Sequence, residues 1–151
     1  MSGTAASLVD QAKKWAGHYG AFPNGAEGAA LSAPLRLRAA WDDNDADAFA
    51  DVFIENGSLL VGDEQLDGRE AIRTFMAEQF QGVYKGARLV EEPVDVRFVT
   101  PEVATVITQS AVVLAGESEP PPQREARAMW VLVLRDGVWM VASQQTSPIR
   151  N

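Results

Sequence analysis

Beyond Gly86 the apolar residues change their spacing, and that change constrains the fold more than any other feature of the chain. Before it they recur every three or four positions, as on one face of a helix. After it they alternate with period two, as on a half-buried strand. Four segments follow that alternation: 87–99, 103–115, 125–134 and 137–146, all rich in Val, Ile or Trp. Asp136-Gly137 reads as a hairpin turn with Gly137 at the residue needing positive φ. Residues 116–123, GESEPPPQ, form a polar connecting loop, and Pro93 marks a bulge or an edge position in the first long strand.

Upstream, residues 4–17 suit a helix with Leu8, Ala12 and Trp15 on one face and Gly17 as its stop. Residues 18–32 read as a Gly/Pro-rich loop, packed through Tyr19 and Phe22 over the rest. A second helix is expected from about Ala33, with Pro34 in its first turn, and a third from Ala46 to Phe53. SLLVGDEQL, residues 58–66, is a short strand turning at Gly62-Asp63. Residues 67–82 form the clearest helix, opened by an Asp67/Glu70 capping box and ended by Gly82, with Ile72, Phe75, Met76 and Phe80 inward. Helices followed by an antiparallel meander imply an α+β class. About three helices cover one face of a curved, mostly antiparallel sheet, and long twisted strands curl around an internal pocket.

At 151 residues the chain is expected to be one domain. Its net charge of −8 argues against nucleic acid and anionic membrane partners, which need clustered Lys and Arg. It has no cysteine, so disulfides, thiolate nucleophiles and Cys-based metal sites are excluded. The N-terminus lacks a signal-peptide pattern, and the apolar runs are too short to span a bilayer, so a cytoplasmic protein is expected. No G-x-G-x-x-G follows a strand, so no cofactor is expected.

Residues 41–54, AWDDNDADAFADVF, raise the question of metal binding. A calcium loop starting at Asp43 needs Gly at its sixth position and Glu at its twelfth. The chain has Ala48 and Ile54 there, so no metal site is expected. The stretch reads instead as helix punctuation. Asn44 tolerates the left-handed turn, Asp45 is an N-cap, and Asp47 lies in a first turn. Asp42, Asp43 and Asp51 are expected on a solvated face.

LRAAWDDNDADAFADVFIENGSLLVGDEQLDGREAIRTFM, with RFVTPEVATVI and LVLRDGVWMVASQQT downstream, resembles the SnoaL-like branch of the nuclear transport factor 2-like superfamily over residues 30–147. More narrowly, FPNGAEGAALSAPLRLRAAWDDNDADAFADVF and NGSLLVGDEQL are similar to small members associated with enediyne polyketide biosynthesis. The resemblance implies a cone with three helices over a pocket, commonly a homodimer. It does not fix an activity, since members include isomerases, cyclases, dehydratases, hydrolases and plain association domains.

Ketosteroid isomerases of this fold use an Asp base with a Tyr and a protonated Asp. The corresponding positions here are Val61, Leu37 and Trp130, all apolar. Many relatives carry a His in the last strand, where this chain has Gln144 or Gln145, which cannot shuttle protons. The remaining catalytic candidates are His18, the only histidine, and Asp63; Glu27 shares their ambiguity. The ordinary alternatives are an exposed loop histidine and turn or surface carboxylates. Phe22, Phe53, Leu59, Val61, Met76, Gln79, Phe80, Trp130, Leu132 and Gln144 are the expected ligand-binding wall, with plain core packing as the alternative for each. Such a wall suits an apolar polyketide or polyene-like small molecule. Three functions compete: a polyketide tailoring enzyme, a non-catalytic binding or delivery protein, and a dimerising partner module that uses Trp139, Val141 and Ser143 on the opposite sheet face.

Overall fold

The computed structural model describes residues 26–149. The elements run α1 (Ala26–Ala30), α2 (Ser32–Asp42), α3 (Ala46–Asp51), β1 (Phe53–Val61), β2 (Glu64–Asp67), α4 (Arg69–Gln81), β3 (Arg88–Thr100), β4 (Val103–Val113), a 3-10 turn (Pro122–Arg124), β5 (Ala126–Arg135) and β6 (Val138–Pro148). The four long strands lie where the period-two pattern puts them. All six strands form one curled sheet in the order β2-β1-β6-β5-β4-β3, antiparallel except for the parallel β1–β6 pair. The α+β class with helices on one face is as expected.

Three departures from the helix expectations have local causes. Part of the expected 18–32 loop is α1, which runs into α2 through Leu31 in helical conformation. Ala30 and Leu31 are fully buried there, so packing holds the turn. The third helix stops at Asp51, because Phe53 pairs with Val141 as the first residue of β1. The Asp67/Glu70 capping box does not form. Asp67 stays in β2 opposite Ser58, and the N-cap is Gly68, whose φ of 95° turns the chain into α4. Arg69 secures that start by donating from Nε and Nη2 to the Phe53 carbonyl at 2.9 and 2.6 Å.

Irregularities bend the sheet, as extra residues in a ladder do. β3 is an edge strand whose register shifts between Pro93 and Asp95, so both roles expected of Pro93 hold. In β6 the register shifts at Ala142, between the pairs Val131–Ser143 and Leu132–Val141. That extra residue places Trp139, Val141 and Gln144 on one inner face. Trp139 and Val141 are therefore core, not an outward contact surface, and Trp139 packs edge-on against Phe98. Strict alternation misassigns them because it carries the phase across the bulge. The Asp136-Gly137 hairpin has positive φ at both residues, 52° and 78°, as a type I′ turn requires.

The helices pack on the inner face around Leu35, Phe49, Phe53, Ile72, Met76, Leu132 and Val141. The aspartate stretch does more than punctuate. Asn44 takes φ 51° and Asp45 caps α3 by accepting from Ala48 N–H at 3.0 Å, as expected. Asp47 and Asp51 bind Arg73 at 2.8 and 3.0 Å. Asp42, expected only to be solvated, accepts the Leu89 backbone N–H, and Asn44 Oδ1 accepts that of Gly86. Two side chains of the helix junction thus anchor the start of β3. No helix among the described residues is long and apolar enough to cross a membrane.

Candidate functional site

The curl and the helices enclose a cavity of about 350 Å³. Its deep wall is apolar: Leu37, Phe49, Leu59 and Met76 are all buried. Trp41 lines it too, within a cluster formed with Phe49, Phe80 and Tyr84 at ring-centroid distances of 5.9, 5.5 and 5.0 Å. The exposed lining residues Val83 and Thr146 mark where the cavity meets solvent. Arg124 lies on the same rim, paired with Glu117 at 2.8 Å, and Glu117 also accepts from Leu114 N–H.

One carboxyl lies within this wall. Glu91 is 3% exposed and lines the cavity. Its burial follows from register. Leu89, Glu91 and Pro93 alternate inward on β3, and Glu91 stands directly across from Ser110 on β4. Thr108 is the next inward residue of β4, and Trp130 the inward residue of β5 diagonal to it. The three side chains form a line across the sheet. Trp130 Nε1–H donates to Thr108 Oγ1 at 3.0 Å, and Thr108 Oγ1–H donates to Glu91 Oε2 at 3.0 Å. Glu91 Oε1 is buried without a partner, as is the Trp41 Nε1–H. Burial pushes the Glu91 carboxyl up to about 7, against the lowering pull of the Thr108 hydrogen bond and the Arg38 charge. A group so poised can exchange a proton near neutral pH.

Leu59, Val61, Met76 and Gln144 of the expected wall do line the cavity. Phe53, Gln79, Phe80, Trp130 and Leu132 do not. Phe53, Trp130 and Leu132 are fully buried core, and Phe80 stacks edge-on behind Trp41. Asp63 is exposed in the β1–β2 turn, outside the lining, because the tight hairpin carries it into solvent. His18 and Phe22 lie outside the described residues, as does the side chain of Glu27. Among the described residues no cluster of three metal-ligating side chains occurs.

Glu91 is absent from the sequence expectations, although a signal exists. In LVEEP the acidic residue is in phase with Leu89 on the buried side of the strand. Thr108 and Ser110 break the apolar face of β4 in the same way. Polar residues in phase with a buried face must be paired or functional.

A curled sheet closed by helices over an apolar hollow is the architecture of the cystatin-like, nuclear transport factor 2-like class. The chain belongs to the SnoaL-like domain family, whose model matches residues 35–144. No curated protein matches it. Among solved structures it is similar to a domain of unknown function with a cystatin-like fold from Nostoc punctiforme, at 26% identity and TM-score 0.77, over 85% of this chain and 80% of that one. A ketosteroid isomerase-like protein from Erwinia carotovora atroseptica shares 18% identity at TM-score 0.68, over 85% and 99%. A protein named as a scytalone dehydratase from Novosphingobium aromaticivorans shares 16% at TM-score 0.67, over 80% and 81%. The last two likenesses show the fold alone.

Proposed function

We propose that this is a small-molecule pocket protein of polyketide biosynthesis, holding an apolar ketide or polyene-like intermediate in the cavity. The observation that carries it is the 350 Å³ apolar hollow with few polar groups, Glu91, Ser110 and Gln144 among them. Such a lining favours a weakly polar guest and orients it by a small number of hydrogen bonds. The narrower reading, an enediyne pathway in a cytoplasmic setting, is supported by the resemblance of residues 22–53 and 56–66. A homodimer is supported by the sheet's outer face, where Ile107 and Met129 are cross-strand neighbours and Met129 is 43% exposed. Light scattering in solution tests that assembly.

The test of the pocket is titration with all-trans-retinol and with 2-naphthol, followed by quenching of tryptophan fluorescence. Binding saturates at one guest per chain, and Ala126→Phe, which fills the cavity from its wall, abolishes it. Failure of both probes to bind, or equal binding by Ala126→Phe, sinks the reading. A guest recovered unchanged marks a delivery protein, and a product marks a tailoring enzyme.

A further inference from the structure

We infer that Arg124, at the cavity mouth, is a specificity residue, and that the guest is an amphipathic carboxylic acid with its apolar body inside and its carboxylate on the guanidinium. The inference rests on the pocket reading above and names its substrate class.

The depth of the cavity does not suit a charge. The side chains of Leu37, Phe49, Leu59 and Met76 offer no hydrogen bond there. An ionised group placed among them loses its water without compensation. A charged end of a guest therefore stays at the mouth. Arg124 stands at that mouth, and it is the only Lys, Arg or His among the described residues that line the cavity. The one lining carboxyl, Glu91, is buried in the wall and gives an anion no partner.

Arg124 is held in place with donors to spare. Its Nη1 donates to the Val112 carbonyl at 2.9 Å and to Glu117 Oε1 at 2.8 Å, and its Nη2 donates to Glu117 Oε2. A guanidinium has five N–H donors in a fixed plane, so these bonds leave Nε–H and the second Nη2–H. Neither has a partner among the described residues. The two lie side by side on the free edge of the group, a fork that fits both oxygens of a carboxylate. Glu117 and Val112 already fix the guanidinium, so a guest that takes this fork costs little further side-chain freedom.

Glu117 weakens this attraction without cancelling it. Its carboxyl is held down to about 2, by the Arg124 hydrogen bond first and the Leu114 N–H second, so it is charged at neutral pH. It occupies the end of the guanidinium. A second carboxylate on the side edge lies nearer the guanidinium carbon than it lies to Glu117, so attraction exceeds repulsion. Glu117 also accepts the Leu114 N–H at 2.8 Å, which ties the ion pair to the chain just past β4.

The test compares all-trans-retinol with all-trans-retinoic acid, which share one apolar frame and differ at its end. Binding is followed by quenching of tryptophan fluorescence at pH 8, where the acid is ionised. The wild-type protein binds the acid about 10-fold or more tightly than the alcohol, the scale of one charge-assisted hydrogen bond. Arg124→Gln binds the two alike. Glu117→Gln removes the opposing charge and widens the preference for the acid. Equal affinity of the wild type for the two probes, or tighter binding of the alcohol, overturns this inference and leaves the pocket reading standing. So does a preference that survives Arg124→Gln or disappears in Glu117→Gln. Binding of neither retinoid nor 2-naphthol overturns both readings. The wild-type comparison needs no variant, so an Arg124→Gln chain that does not fold leaves a decisive measurement.

Discussion

Asp42 Oδ1 accepts the backbone N–H of Leu89 at 3.0 Å, tying the last residue of α2 to the second residue of β3. β3 is an edge strand, so part of its backbone has no strand partner. Asp42 covers that edge two residues before Glu91, and Asn44 does so at Gly86. An acidic helix junction therefore sets where the buried carboxyl stands. Burial raises the Asp42 pKa, and the Leu89 bond works against that rise.

Asp42→Ala removes this tie. Urea unfolding is expected to show a loss of about 1 kcal/mol, the net worth of one such bond. The amide of Leu89 loses protection from hydrogen exchange, while that of Val141, deep in the sheet, falls only by the global loss. Unchanged protection at Leu89 contradicts the anchoring role.

The Glu91 carboxyl makes stability depend on pH. Its folded value, about 7, lies above the ordinary 4.5. The folded chain thus keeps a proton that the unfolded chain releases. The resulting stabilisation is complete below the unfolded value and is lost as pH rises through 7. Between about pH 5 and 8 the loss is on the order of 2–3 kcal/mol. Glu91→Gln is expected to flatten that fall and to melt above the wild type at pH 8. Parallel melting curves across this range rule the expectation out.

Thr108 is a donor and an acceptor at once. Thr108→Val keeps the shape but orphans both the Trp130 N–H and Glu91 Oε2 in a buried site. The expected cost is about 2–4 kcal/mol in urea unfolding, since each orphan loses its bond. Thr108→Ser keeps the hydroxyl and is expected to cost clearly less. Equal costs for the two variants mean that the methyl, not the hydroxyl, matters.

Gly57 sits in the irregular stretch of β1, where the register to β6 shifts. A Cβ there would stand 3.1 Å from the Ile54 carbonyl oxygen and 3.2 Å from the Phe53 side chain. Gly57→Ala is expected to lose about 1–3 kcal/mol by overpacking. The control is Gly28→Ala, which meets nothing within 4 Å and lies in a helix, and it is expected to be neutral or slightly stabilising.

The strands and turns were legible because they follow from local chemistry. Val and Ile at period two, Gly137 in its hairpin, Asn44 at a left-handed junction and Asp45 at an N-cap each depend on residues a few positions away. Leu59, Val61, Met76 and Gln144 were legible as wall for the same reason, since each falls in phase on an inward face. The capping box failed because Asp67 had a stronger claim on it, pairing with β1. Trp139 and Val141 were misplaced because a one-residue bulge in β6 inverts the facing of everything before it, and β6 has no proline or other local signal there, as β3 has in Pro93.

By itself, then, the sequence determined the α+β class, the order of the elements and the apolar character of the inner face, since periodicity and turn residues act at short range. Only the tertiary structure decided which inward residues stop short of closing the core, and that Glu91, Thr108 and Trp130, far apart in the chain, meet on one line. That depends on strand register and sheet curvature, which arise from the packing of all six strands together.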